Sequence, residues 1–114
     1  MKTINDIQEP LNELIEDVKV VLGESLSKII LYGSYARGEQ TEYSDIDIMI
    51  LTSLEDEKEI REIEYKLYDL AYEIEYKSLL NFSIVVKNEN HFNHWIPTLP
   101  FYSNIDNEGV VLSA

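Results

Sequence analysis

Apolar residues at the start of the chain recur at three- and four-residue steps: Ile4, Ile7, Leu11, Leu14, Ile15, Val18, Val21 and Leu22. That spacing lays them along one face of an amphipathic helix. Pro10 either breaks the segment or starts its main helix, because a first turn tolerates the missing N–H. Gly23 supplies a stop signal. The pattern then changes. Lys28 to Tyr32 is a β-branched and aromatic run bounded by Gly33-Ser34, which predicts a buried strand ending in a tight turn. Residues 37–44 are polar and read as a loop or short helix. From Asp45 to Leu51, Ile46, Ile48 and Ile50 alternate with Asp47 and Met49, the period of a second strand.

Helical spacing returns from Leu54 to about Leu80, with Ile60, Ile63, Leu67, Leu70, Ala71 and Ile74 on one face. Glu55, Glu57, Glu59, Glu62, Glu64 and Glu73 make the other face a solvated one. Residues 81–86 predict a third strand. Residues 88–96 and 99–108 predict short helices separated by Pro97 and Pro100, and Val110-Val111-Leu112 an edge strand after Gly109. No Gly/Ser/Pro-rich linker and no internal repeat divides the chain. The expectation is therefore one α/β (α+β) domain over residues 1–114, a small mixed sheet covered by helices.

Composition changes this picture mainly through charge. The 45% hydrophobic and 27% charged content is that of an ordinary globular chain of 114 residues. Twenty-two acidic residues against nine basic ones leave a net charge of −13, which disfavours direct binding of DNA or RNA. The acidity either keeps the protein soluble or attracts a basic partner or metal ions. Without cysteine there are no disulfides and no Cys-ligated zinc. The Met1-to-Asp6 segment lacks the apolar stretch of a signal peptide, and no apolar run is long enough to cross a membrane. A cytoplasmic location is the default expectation.

Candidate chemistry gathers between positions 33 and 47. Gly33-Ser34 follows a strand, where a residue without Cβ lets the backbone approach a bulky anion, and turn N–H groups with the Ser34 hydroxyl can hold phosphate oxygens. On its own, that dipeptide reads first as an ordinary turn. Asp45 and Asp47, two apart on a predicted strand, point to one face and repel each other, whereas Ile46 and Ile48 point into the core. Either the pair is fully solvated or a hard divalent cation such as Mg²⁺ bridges it.

Gly33-Ser34, ten intervening residues, then Asp45-Ile46-Asp47 resembles the signature of the polymerase-beta-like nucleotidyltransferase superfamily. The fuller run from Leu31-Tyr32-Gly33-Ser34-Tyr35-Ala36-Arg37-Gly38 to Ser44-Asp45-Ile46-Asp47-Ile48 is similar to its minimal branch, which includes the MntA-type antitoxins paired with HEPN toxins. The resemblance implies that fold, and a transfer of a nucleoside monophosphate, AMP from ATP, to a hydroxyl acceptor. It implies Gly33 and Ser34 on the triphosphate, Asp45 and Asp47 as catalytic ligands of Mg²⁺, and a HEPN-type partner modified on tyrosine in a toxin–antitoxin pair. Arg37 either stabilises a phosphate oxygen or forms a surface salt bridge. The superfamily usually adds a third carboxylate on a later strand. Here the corresponding strand offers only Asn81 and Ser83. Two carboxylates suffice, or Glu73 or Glu75 substitutes, or the chain is a degenerate scaffold that binds its partner without chemistry.

Three weaker signals remain. His91 and His94 are three apart on a predicted helix and either share a metal or are plain polar surface. Phe92, Trp95, Phe101 and Tyr102 read as core or interface packing. Tyr65, Tyr68, Tyr72 and Tyr76 form a stripe on the long helix, read as a packing face or a contact with a second subunit.

Overall fold

In the computed structural model, which describes residues 2–114, helix and strand follow the hydrophobic spacing closely. Met1 lies outside the described residues. A short 3₁₀ turn (Asn5–Ile7) leads into α1 (Gln8–Leu22), with Pro10 in its first turn and Gly23 at its end. Then come β1 (Leu26–Tyr32), α2 (Gly33–Arg37), β2 (Ile46–Thr52), α3 (Glu57–Ser78), β3 (Phe82–Asn88), α4 (Glu89–Trp95), α5 (Pro100–Glu108) and β4 (Val110–Ser113).

Local chemistry accounts for where the boundaries depart from the periodicity. Helix α3 begins at Glu57 rather than Leu54 because the Asp56 carboxylate accepts a hydrogen bond from the Lys58 N–H at 3.0 Å, an N-cap. Asn88 ends β3 and caps α4 in the same way, accepting from the His91 N–H at 2.9 Å. Gly33-Ser34 is more than a tight turn, since it opens the five-residue α2, which Gly38 closes in the left-handed region at φ 71°. Asp45 falls just before β2. The Ile46 N–H is the first ladder donor, to the Asn81 carbonyl at 2.8 Å.

The strands form one mixed sheet in the order β3-β2-β1-β4. Strand β1 runs antiparallel to both β2 and β4, whereas β2 and β3 are parallel and are joined through α3. Alternation along the strands splits the core in two. Ile29, Leu31, Ile46, Ile48, Ile50, Ile84 and Val86 point to one face and bury Leu11, Leu14 and Val18 of α1 with Leu67, Ala71 and Ile74 of α3. Ile30, Met49 and Leu51 point to the other and meet Phe92 of α4 and Tyr102 and Ile105 of α5.

The aromatic residues near the C-terminus therefore divide: Phe92 and Tyr102 stack in the second core layer with ring centres 4.9 Å apart, while Trp95 and Phe101 stay partly exposed. The tyrosine stripe of α3 is not a packing face. Leu67, Ala71 and Ile74 occupy the buried side, so Tyr65, Tyr68, Tyr72 and Tyr76 face solvent. Among the described residues no helix is long and apolar enough to cross a membrane.

Phe92 is the largest fully buried side chain and fills the thinner of the two layers. Its replacement by Ala is expected to cost about 3–5 kcal/mol through lost burial and a residual cavity. Urea denaturation of the wild type and Phe92→Ala, followed by circular dichroism, measures the difference.

Candidate active site

Strand register brings the site together. Tyr32, the last residue of β1, pairs with Asp47 on β2, and Asp47 pairs with Ser83 on β3, so all three sit in one row across the sheet. The row lies on the α4/α5 face, because Ile46 and Ile48 take the other side. Directly after Tyr32 the chain turns into α2 through Gly33 at φ 72°. A Cβ at this position would collide with the Asp47 carboxylate, whose Oδ2 lies closest and whose Cγ is 3.0 Å away. Glycine is thus favoured twice, by the positive φ and by the approach of backbone to carboxylate.

Ser34 is half-buried in the first turn of α2, and no side chain caps that helix start. The Glu39 N–H bonds the Ser34 carbonyl at 2.9 Å and folds the following loop back onto α2. The loop then reaches Asp45 through a turn in which the Ser44 hydroxyl accepts from the Thr41 N–H at 2.8 Å. Asp45 is exposed and Asp47 half-buried. Burial and then the neighbouring Asp45 charge raise the Asp47 pKa above the ordinary carboxylate range, with Arg37 partly offsetting them. Burial, with Asp47 next to it, pushes the Tyr32 phenol up to about 12.

Arg37 is close enough to influence Asp47, yet its guanidinium is held by Glu39 and Glu108, each at 3.3 Å. The surface salt bridge expected as one of its two roles is present, and it ties α2 to the end of α5. Neither Glu73 nor Glu75 joins the aspartates. Helix α3 lies across the opposite sheet face, where the Glu75 carboxylate accepts from the Phe82 N–H at 2.8 Å and Glu73 faces Asp17 of α1. The alternative that one of them replaces a missing third carboxylate is thereby overturned. The residue beside Asp47 on β3 is Ser83.

His91 packs edge-on against Tyr102 at 5.9 Å, and its neighbour His94 against Trp95, a surface aromatic arrangement. Among the described residues no three His, Cys, Asp or Glu side chains converge as a ready-made metal cage. The site is an open rim. A cleft of about 370 Å³ at the far end of β3, lined by Arg61, Val86, Lys87 and His91 among others, contains neither aspartate. Tyr32 and Glu108 are the neighbours that reading the chain alone did not assign to the site, and only strand register and a contact 71 residues apart reveal them.

The donor set suits a hard divalent cation. Two carboxylates whose like charge is only partly offset supply oxygen ligands, and the glycine at α2 lets a helical turn start against one of them.

Comparison with known proteins follows the same lines. The family profile of the nucleotidyltransferase domain matches residues 11–112. A protein of Methanocaldococcus jannaschii named as a candidate protein adenylyltransferase, MJ0141, is 34% identical over 95 residues, covering 75% of this chain and 95% of the relative. The crystal structure of a candidate nucleotidyltransferase from Sulfolobus solfataricus superposes with a TM-score of 0.57 at 19% identity, over 96% of this chain and 87% of that one. A chain from a mutant MntA–HpeT toxin–antitoxin crystal structure superposes with a TM-score of 0.51 at 20% identity, over 88% of this chain and 69% of its own length. Both likenesses are of fold.

Two outcomes test this geometry. Gly33→Ala is expected to destabilise the fold by more than about 1 kcal/mol, since the new Cβ meets both a positive φ and the Asp47 carboxylate. Adding Asp47→Ala to it should recover part of that loss, read as non-additivity in urea melts. The second outcome concerns pH. With the folded pKa of Asp47 raised, there is a pH window between the unfolded and folded values in which the native state still holds a proton that the unfolded chain has released. Stability from this group therefore falls as pH rises from the ordinary carboxylate range through the raised value. In chelator, Asp47→Asn should be more stable than wild type at neutral pH, and the gap should close on acidification. A gap that widens towards acid would contradict the assigned direction.

Proposed function

The chain belongs to the nucleotidyltransferase domain family, and we propose that it moves AMP from ATP to the hydroxyl of a protein acceptor. One observation carries the assignment of residues: the start of α2 comes against the Asp47 carboxylate at a glycine of positive φ, where any Cβ would meet that carboxylate. That approach supports binding of a phosphate-sized anion beside the Asp45/Asp47 pair. The name of the Methanocaldococcus jannaschii relative supports a protein acceptor. The toxin–antitoxin neighbour in fold supports a toxin as that protein partner, and the resemblance of the Gly33-to-Ile48 run to the antitoxin branch extends the reading to a helical HEPN-type toxin modified on tyrosine.

In this reading the Gly33 and Ser34 backbone, with the Ser34 hydroxyl, holds the triphosphate of the nucleotide. Asp45 and Asp47 hold Mg²⁺, which supplies charge neutralisation on the phosphate oxygens when bound. Among the described residues no third carboxylate joins the pair, so these two would be the protein's carboxylate ligands to the ion. Arg37 exchanges its exposed pairing with Glu39 and Glu108 for a phosphate oxygen, a low-cost exchange because surface ion pairs are weak. The acceptor oxygen attacks the α-phosphorus in line, and its new P–O bond replaces the bond to the bridging oxygen of the β-phosphate. Pyrophosphate leaves with that electron pair. The hydroxyl proton passes to solvent, because Ser83 offers no base beside Asp47.

The test incubates the protein with α-labelled ATP, Mg²⁺ and a small helical HEPN-type protein from the same organism as candidate acceptor. Wild type should label the partner, and Asp45→Asn/Asp47→Asn should reduce labelling by at least about a hundredfold while keeping the fold. A wild type that inhibits its partner without labelling it, with the double variant inhibiting equally well, would sink the transfer reading in favour of a binding scaffold.

A further inference from the structure

We propose that the tyrosine face of α3, with the edge of β3 beside it, is the docking surface for a basic helix of the acceptor protein. The proposal deepens the reading above and rests on its acceptor being a protein. Tyr65, Tyr68, Tyr72 and Tyr76 are 59%, 41%, 66% and 77% exposed, and Leu79, three residues further on, is 84% exposed. Their spacing lines them along a single side of the helix, opposite Leu67, Ala71 and Ile74. An aromatic stripe of this length is costly to leave in water. Tyrosine is also the residue type enriched where protein surfaces meet.

The surroundings narrow the occupant. A partner strand adding to β3 is blocked, because α3 already satisfies that edge. Glu75 accepts from the Phe82 N–H at 2.8 Å, Glu64 from the Val86 N–H at 2.8 Å, and the Tyr68 hydroxyl donates to the Ile84 carbonyl at 3.3 Å. A cleft of about 370 Å³ remains between helix and strand, bordered by Tyr68, Tyr72, Glu75, Phe82 and Ile84. A helix that presents side chains fits such a groove.

Charge selects its chemistry. Helical spacing places Glu62 and Asp69 along one border of the stripe and Glu64 and Glu75 along the other. Lys58 and Arg61 lie only at the N-terminal end. A second copy of this chain would bring another −13 against the same acidic borders, whereas a basic helix meets them with opposite sign. Position adds a reason. The groove ends at Phe82, the register partner of Ile46, which sits between Asp45 and Asp47. A helix seated there presents its end at the rim of the sheet that carries the aspartates.

The test uses two synthetic amphipathic helical peptides with the same apolar face, one flanked by Lys and Arg and the other by Glu. Binding is followed by fluorescence anisotropy without nucleotide, so the outcome does not depend on transfer chemistry. The variant Tyr65→Ser/Tyr72→Ser/Tyr76→Ser keeps the net charge and leaves Tyr68 on the Ile84 carbonyl. Circular dichroism checks that it is folded. The basic peptide should bind wild type, more weakly as salt rises, and the triple variant should bind it at least about tenfold more weakly. Equal binding of wild type and variant would overturn the proposal, leaving only diffuse attraction to an acidic protein. So would equal binding of the acidic peptide. A wild-type dimer in sedimentation that the triple variant dissolves would give the face to a second copy instead.

Discussion

The approach of the α2 backbone to the Asp47 carboxylate is the constraint around which the site is organised. Strand β1 must end at Tyr32, opposite Asp47, and the chain must leave it with a positive φ. Only then does the first turn of a helix begin against a carboxylate. Gly33 permits both, and Gly38 ends the helix five residues later, so the loop to Asp45 returns to the same rim. A Cβ at Gly33 would push the α2 backbone and the Asp47 carboxylate apart.

The electrostatic state of that rim follows from an acidic chain. Asp47 is partly withdrawn from water and has Asp45 as its neighbour, so its ionised form is disfavoured. The nearby cation, Arg37, is committed to Glu39 and Glu108. Such an arrangement is poor for stability and well suited to taking up positive charge from outside. Ser83 on the neighbouring strand contributes no further negative charge, which keeps the repulsion to one pair.

Helix α3 serves three purposes with three faces. Its apolar side closes the larger core layer, and Glu64, Tyr68 and Glu75 occupy the outer edge of β3. The remaining side carries the exposed tyrosines. An unprotected edge strand is a template for unwanted pairing. Protecting it with carboxylates from α3 removes two acids from the pool available to the site and leaves the acidic border beside the tyrosines.

Much of this protein was legible one element at a time. Three- and four-residue spacing located α1 and α3, alternation located β2, and the Gly-Ser and Asp-x-Asp spacing pointed to the nucleotidyltransferase family. These signals are local, set by backbone periodicity and by the few residue types that suit a turn or an oxygen-ligand site. Boundaries shifted where a cap or a ladder bond intervened, as at Asp56 and Ile46. What tertiary structure decided is which residues share a row and which share a face. Tyr32 and Ser83 flank Asp47 only because β1 and β3 pair with β2 in one register, and Arg37 meets Glu108 across 71 residues. Glu75 lies closer to β3 in sequence than the aspartates do, yet it cannot join them, because α3 packs on the other side of the sheet. The tyrosine stripe has the spacing of a packing face and became surface, since periodicity marks a side of a helix and only packing against a partner element decides which side is buried.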